Sequence, residues 1–388
     1  MNTMETSEQF LMKTYGRQPI AVQSGIRGVC TDETGKTYID FGSGIGTNSL
    51  GYCDADWADA VCKQVRTVQH TSNYYYVSVQ AELAEQLCTL TDMERVFFGN
   101  SGAEANECAI KVARKYSFDR YGEGRGTILT LQNSFHGRTL TTLAATGQDV
   151  FHKDFHPFPQ GFVHAKPNDL TDLHEKLDDS VCAVMIELVQ GEGGVHVLDP
   201  DYVKVVAELC QERDLLLIVD EVQTGIGRTG TFLACEQYRL HPDIITLAKG
   251  LGGGLPIGAC LVAASCADVM GQGSHGSTFG GNPVVCAGAL AVLSRVAEPG
   301  FLDSVQEKSV YIREVLESCP EVESVSGLGL MIGIRLKTMS AGEILAAARE
   351  AGLLVLTAKD KVRLLPPLTI SKEELDAGLE ILLQILNN

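Results

Sequence analysis

Six short runs in the middle of the chain are apolar almost without interruption: RVFFG (95–99), GTILTL (126–131), CAVMIEL (182–188), LLLIVDE (215–221), DIITL (243–247) and GACLVAA (258–264). A strand with one wet face alternates apolar and polar residues, whereas a strand covered on both faces does not. These runs therefore read as strands of a parallel sheet. Between them lie stretches of helical spacing, such as 102–120 and 200–213. The alternation of strand and helix predicts an α/β sheet with helices on both sides. From about residue 300 the rhythm changes. A helix over 302–317, the segment VSGLGLMIGIRL, a helix near 340–352, the short runs LLVLTA and KVRLLPPL, and a closing helix over 371–386 predict a smaller α/β domain. Near the start, GVCTDETGKTYIDF holds two extended runs joined by a Thr34–Gly35 turn. This segment is too short to fold alone. The expected division is residues 1–45 joining the small domain, 46–295 as the large domain and 296–388 as the C-terminal small domain.

Charge narrows the partners. The 388 residues carry 31 Lys+Arg against 49 Asp+Glu, a net charge of −18. Such a balance repels phosphate backbones and anionic lipid, so neither nucleic acid nor a membrane surface is an expected partner. The start lacks a basic stretch followed by a long apolar one, and no apolar run reaches the ~18 residues of a membrane span. The 12 cysteines form no C-x-x-C pair and no zinc-like spacing, and most sit in apolar stretches as small core residues. No metal is expected, and a reducing cytoplasm fits best. Glycine is the compositional excess, 40 residues or about a tenth of the chain, against ~7% in ordinary proteins.

GIGRTG (225–230) has the glycine spacing of a dinucleotide-binding loop. However, Asp220 and Glu221 intervene between strand and glycines, no helix start follows, and the acid needed ~20 residues on is missing. A nicotinamide or flavin site is therefore not expected. NSGAEANE (100–107) is more telling, because it follows a strand and opens a helix. Ser101 and Glu104 have capping-box spacing, and the small residues at 102, 103 and 105 leave backbone N–H groups open. Such a helix start can cradle a phosphate, although it is also what any capped helix looks like. Asp220 ends an apolar run where open α/β sheets place their ligands. Lys249 follows IITLA and precedes GLGGG, and a desolvated lysine in such a place becomes nucleophilic as its pKa falls. Cradle, strand-end Asp and loop Lys together match pyridoxal 5′-phosphate, with a lysine Schiff base and a carboxylate on the pyridine nitrogen.

At this point the sequence resembles the class III (ω-amino) aminotransferases, a family of the PLP-dependent transferase fold type I. The resemblance runs over nearly the whole chain: YIDFGSGIGTNSLGY, HTSNYYYVSVQ, FFGNSGAEANECAIKVARKY, SFHGRTL, VQGEGGV, LLLIVDEVQTGIGRTG, DIITLAKGLGGGLPIGA, GSTFGGNPVVCAGALAVL and VRLLPPL. It implies roles at matching positions. Lys249 would bond the cofactor aldehyde and then serve as general base and acid, and Asp220 would keep the pyridine nitrogen protonated. Val222 and Phe135 would sandwich the ring, with Gln223 near the phenolic oxygen. Ser101, Gly102 and Ala103 would bind the phosphate. Thr278 would reach the phosphate of a neighbouring subunit, which implies a homodimer. Arg138, Ser277 and Arg363 would meet the substrate. Glu192 would pair with Arg363, masking it when an ω-amino substrate binds and releasing it for glutamate. Glu187 would be a structural neighbour of the site.

Within the family the resemblance points to transamination of N2-acetyl-L-ornithine with 2-oxoglutarate, by a ping-pong mechanism. N2-succinylornithine, free ornithine, 4-aminobutyrate or a lysine-pathway acyl amine are the alternatives. Departures from the family pattern fall at Tyr52, where His is common, at Tyr74, where Leu is common, and at Val79, where Pro is common. They are expected near the substrate entrance. Ile45 stands where ornithine δ-aminotransferases carry Tyr, which speaks against free ornithine.

Overall fold

A computed structural model describes residues 2–387. Its centre is a seven-stranded sheet built from β1 (Arg95–Gly99), β2 (Thr127–Leu131), β3 (Phe162–Ala165), β4 (Val181–Ile186), β5 (Leu216–Asp220), β6 (Ile244–Leu247) and β7 (Gly258–Val262), in the order β1-β7-β6-β5-β4-β2-β3. Strands β2 to β6 run parallel. Only β7 opposes both of its neighbours; β6 returns to it through a loop holding the 3-10 turn Lys249–Gly252 and not through an α-helical crossover. Every residue of β4, β5, β6 and β7 is buried, as their unbroken apolar runs predict. The sequence pattern misses β3. It is an edge strand with half-buried residues and a histidine, so its hydrophobic signal is diluted. The helix Gly102–Tyr121 packs on β6 and β7.

The topology brings the carboxyl ends of β1, β2, β4, β5 and β6 to one edge, where open α/β sheets bind ligands. The turns after them carry Ser101, Phe135, Glu187, Val222 and Lys249. The GIGRTG segment winds through successive turns with no helix start. Its Arg228 is buried and donates to the carbonyls of Leu330 (3.1 Å) and Pro366 (2.6 Å). These glycines therefore serve a packing turn against the C-terminal region and do not open toward a phosphate.

The predicted hairpin forms from Val29–Asp32 and Thr37–Asp40, and Gly35 takes the left-handed conformation (φ 86°) at its turn. Thr37–Asp40 also pairs with Leu353–Leu354, so the two ends of the chain share one sheet. A second, antiparallel sheet contains Val322–Leu328, Met331–Leu336, Leu356–Ala358 and Lys361–Leu364. The last of these strands carries Arg363 toward the central sheet. All cysteines are free thiols. Among the described residues, no single helix is long and apolar enough to cross a membrane.

One contact ties the two chain ends. Phe41 is fully buried, and a Cβ on Gly378 of the helix Lys372–Leu386 would lie 2.3 Å from its ring. Helix propensity favours alanine over glycine by ~1 kcal/mol. Overpacking against an enclosed ring costs about 1–3 kcal/mol, and Phe41 is fully enclosed. Gly378→Ala is expected to lower the urea midpoint, against its helix propensity. An unchanged or raised midpoint would show that the ring can give way.

Candidate active site

The strand-end residues converge on a cavity of about 430 Å³ lined by Ser101, Gly102, Ala103, Phe135, Arg138, Glu187, Asp220, Val222, Gln223 and Lys249. Larger grooves exist, one of about 970 Å³, but this cavity holds the titratable cluster.

At its base, Ser101 caps the helix Gly102–Tyr121. Its Oγ accepts from Glu104 N (3.2 Å) and donates to Glu104 Oε2 (3.1 Å), which also accepts from Asn100 N (2.7 Å). The first-turn N–H groups of a helix have no partner within it and carry its partial positive charge. A Cβ at position 102 would sit 2.7 Å from Val222 Cγ1. Only glycine lets the helix start lie this close to the turn after β5.

Asp220 is buried and accepts three hydrogen bonds. His136 Nδ1 and Asn106 Nδ2 donate to Oδ2, both at 2.8 Å, and Val222 N donates to Oδ1 at 3.0 Å. Asn106 Nδ2 also donates to the His136 carbonyl (2.7 Å). Burial favours the neutral His136 ring, but the bond to Asp220 and its charge outweigh burial and raise the pKa. Glu187, held by the Phe135 N–H at 2.9 Å, is pushed up to about 7, chiefly by burial.

Lys249 sits in the turn between β6 and β7 with φ 39°, a left-handed conformation that costs energy in a residue with a side chain. Its turn is pinned by Ser49 Oγ on the Gly250 carbonyl (2.9 Å) and Trp57 Nε1 on the Gly252 carbonyl (3.1 Å). Among the described residues its ammonium makes no hydrogen bond or ion pair. Burial lowers its pKa, and nearby Glu192 and Asp220 only partly restore it.

Two arginines are held in contrasting ways. Arg363 is buried and pairs with Glu192, Nη1 to Oε1 at 2.6 Å and Nη2 to Oε2 at 3.4 Å, and Nη1 also donates to Gln223 Oε1 at 3.2 Å. Among the described residues its Nε has no hydrogen-bond partner. Burial alone would raise the Glu192 pKa, but Arg363 outweighs it and holds the carboxyl below its ordinary value. Arg138 is exposed and meets no carboxylate among the described residues. Its guanidinium carbon lies 3.8 Å from the Phe151 ring centre and 5.5 Å from that of Phe135.

The sequence-derived site residues are thus brought together except for two. Ser277 and Thr278 line the separate groove of about 970 Å³. The Ser277 hydroxyl accepts from Asn100 Nδ2 (3.1 Å) and Gly280 N (2.9 Å), which fastens its own loop. Tyr52, Tyr74 and Val79 do not line the cleft. Tyr52 donates to Asp40 (2.7 Å), and Tyr74 is exposed beside Thr278. Sequence reasoning passed over Asn106 and His136. The available signal was a polar residue on the buried face of an amphipathic helix, and a histidine between two residues already singled out.

The cavity suits pyridoxal 5′-phosphate in its donor set. It has open N–H groups for an anion, an anchored carboxylate, a desolvated lysine, and Val222 and Phe135 as apolar surfaces.

Comparison with known proteins agrees. Residues 12–386 match the family model of the class-III aminotransferases. An acetylornithine aminotransferase from Haemophilus ducreyi is 51% identical over 380 residues, covering 97% of this chain and 96% of its own. Among solved structures, an N-acetylornithine aminotransferase from Stenotrophomonas maltophilia superposes with a TM-score of 0.85 at 34% identity, covering 99% of this chain and 98% of its own. An ornithine aminotransferase from Toxoplasma gondii superposes with a TM-score of 0.95 at 31% identity, covering 99% and 94%. The chain belongs to the class-III aminotransferases, enzymes that use pyridoxal 5′-phosphate.

Proposed function

We propose that this enzyme transfers the δ-amino group of N2-acetyl-L-ornithine to 2-oxoglutarate, forming N-acetyl-L-glutamate 5-semialdehyde and L-glutamate, as in arginine biosynthesis. The observation that carries this reading is the pairing of Arg363 with Glu192 while Arg138, among the described residues, meets an aromatic ring and no carboxylate. One carboxylate grip is open and the other is masked. Acetylornithine brings one carboxylate, far from its reacting amine, and needs the open grip. Glutamate brings two and can displace Glu192. Backbone likeness does not separate acetylornithine from ornithine enzymes, whereas sequence identity favours the former.

Bound pyridoxal 5′-phosphate supplies the aldehyde that accepts the amino group and a ring that stores an electron pair. The protein supplies the rest. Ser101, Gly102 and Ala103 would hold the phosphate. Asp220 would keep the ring nitrogen protonated, and Val222 and Phe135 would bracket the ring. Gln223 would stand near the phenolic oxygen. Lys249 Nζ would take the proton from the substrate carbon that bears the amine and deliver the same proton to the cofactor carbon that receives the nitrogen. Glu187 remains a buried neighbour. The large part of the fold, 46–295, carries the cofactor groups, and 1–45 with 296–388 brings Arg363. A cytoplasmic location suits these substrates.

The active unit in this reading is a homodimer. Tyr74, which lines a groove with Ser277 and Thr278, its chain neighbours Tyr75 and Tyr76, and Phe279 are all strongly exposed, aromatic surface of the kind that another subunit covers. Thr278 would then serve the partner's phosphate, and Ser277 would face the partner's substrate. Two inactive variants, Lys249→Ala and Thr278→Ala, should regain activity when their subunits are exchanged, because one site of each mixed dimer holds both intact residues. Absence of recovery in verified mixed dimers would refute the exchange.

Because the Lys249 pKa is lowered, a larger fraction is neutral amine near pH 7–8 than for a surface lysine. Cofactor-free protein treated with pyridoxal 5′-phosphate and borohydride should be labelled at Lys249, as peptide mapping would read. Lys249→Ala should lose that label and at least a thousandfold in kcat, within the ~10²–10⁴ range of acid–base groups compounded by lost attachment. Equal labelling elsewhere would refute the assignment.

Glu192→Gln leaves Arg363 unmasked. It should lower kcat/KM for acetylornithine about tenfold or more and affect the glutamate half-reaction less, as stopped-flow half-reactions would show. The wild-type mask follows pH with a definite sign. The Glu192 pKa is depressed, so the mask is present at neutral pH and is lost as pH falls through that lowered value. A kcat/KM survey over acetylornithine, succinylornithine, ornithine and 4-aminobutyrate tests the substrate. A preference for 4-aminobutyrate would overturn it.

A further inference from the structure

We propose that Phe151 is a positioning residue that fixes where Arg138 presents its charge to a substrate carboxylate. This rests on the reading of Arg138 as a carboxylate-binding residue.

Arg138 is an exposed arginine with no carboxylate or hydrogen-bond acceptor among the described residues. A free guanidinium on a long flexible stem would sample many positions. Here its carbon lies 3.8 Å from the Phe151 ring centre, well inside the ~6 Å reach of a cation–π contact. Phe151 in turn meets Phe135, whose ring faces the cofactor cavity, edge-on at 6.1 Å and 82°. A single side chain thus touches both the ring wall and the substrate-facing cation.

The turn bearing Phe151 is itself fixed at both ends. Gln148 starts it by accepting from Phe151 N at 3.0 Å, and is nearly buried. Its Nε2 donates to the carbonyls of Asn133 (3.3 Å) and Ser134 (3.1 Å), directly before Phe135. On the other side, His152 Nε2 meets the Leu143 carbonyl at 2.7 Å. The Phe151 turn and the Phe135 loop are therefore clipped together through one amide.

The chemistry favours a ring over an acid in this place. A carboxylate partner would neutralise Arg138 and compete with the substrate, as Glu192 does at Arg363. An aromatic face attracts the cation without occupying its in-plane N–H groups, which stay free for a planar carboxylate. Asp149 is the acid in the same turn; it lies 4.0 Å from His152 Nδ1, and among the described residues it forms no ion pair with Arg138.

The test uses the holoenzyme and glutarate, a dicarboxylate with neither amine nor oxo group, as a competitive probe. Phe151→Leu is expected to raise the glutarate inhibition constant and the KM for 2-oxoglutarate about 3- to 10-fold, the size of one cation–π contact. The kcat should stay within about twofold and cofactor content should be unchanged. Phe151→Tyr keeps the ring and should restore both constants. Phe151→Met, unbranched and without a ring face, should behave as Leu does and serves if the Leu variant folds poorly. In an Arg138→Gln background the Phe151→Leu effect should vanish, as a double-mutant cycle reads. Unchanged constants in both ringless variants would overturn the proposal while Arg138→Gln still weakens glutarate. So would a loss of kcat or cofactor with unchanged glutarate binding, or full additivity with Arg138→Gln. If Arg138→Gln leaves glutarate binding intact, the carboxylate reading of Arg138 fails, and this proposal with it.

Discussion

Asp220 closes a strand in which every residue is buried, and an uncompensated carboxylate there would cost several kcal/mol. Its three donors come from three separate segments: Asn106 from a helix, His136 from the loop after β2, and Val222 from the turn after β5. Meeting one desolvated charge therefore fixes the placement of all three. Ser101 to Ala103 open the helix that holds Asn106, and Phe135 adjoins His136. The spacing between the helix start, Phe135 and the carboxylate follows from that constraint.

The same economy governs positive charge. A chain of net charge −18 must gather dianionic substrates and a phosphate, so the cations that matter are local. Arg363 is buried, Lys249 lines the cavity, and each has acids close by. Glu192 pairs directly with Arg363, while Glu192 and Asp220 partly restore the Lys249 pKa that burial lowers. Arg138 stands outside this compensation and keeps a full charge at the cavity's edge. The surface acidity thus need not oppose binding, because screening by water and salt weakens distant charges much more than enclosed ones.

The sequence was most legible where burial is complete. The unbroken apolar runs of β4, β5, β6 and β7 could only be strands covered on both faces, and Asp220 and Lys249 stood out because polar groups rarely end such runs. Edge strand β3 was hidden, since a half-wet strand with a histidine has no distinctive pattern. The reversal of β7 was hidden as well, because nothing in GACLVAA states its direction. Asn106, His136 and Phe151 illustrate a different limit. Each acts on a group more than a dozen positions away in sequence, and long-range pairing leaves no local trace. Ser277 belongs with them. Its hydroxyl accepts from Asn100 Nδ2 and Gly280 N, so within one chain it also fastens its own loop, a second task that the sequence does not announce.

On the proposed reading, the two arginines divide the work by the kind of partner each has. A buried ion pair can be opened cheaply only by exchange. When a second substrate carboxylate replaces Glu192 on Arg363, the number of desolvated charge pairs is unchanged, and Glu192 moves toward water. A substrate lacking that carboxylate cannot open the pair, because it would leave a buried cation alone. A ring-held arginine has no such condition. Its charge is uncompensated before binding, so any carboxylate is accepted there. Selectivity for the number of carboxylates then needs no movement of the backbone. It follows from one cation being neutralised by an acid and the other being steadied by an aromatic face.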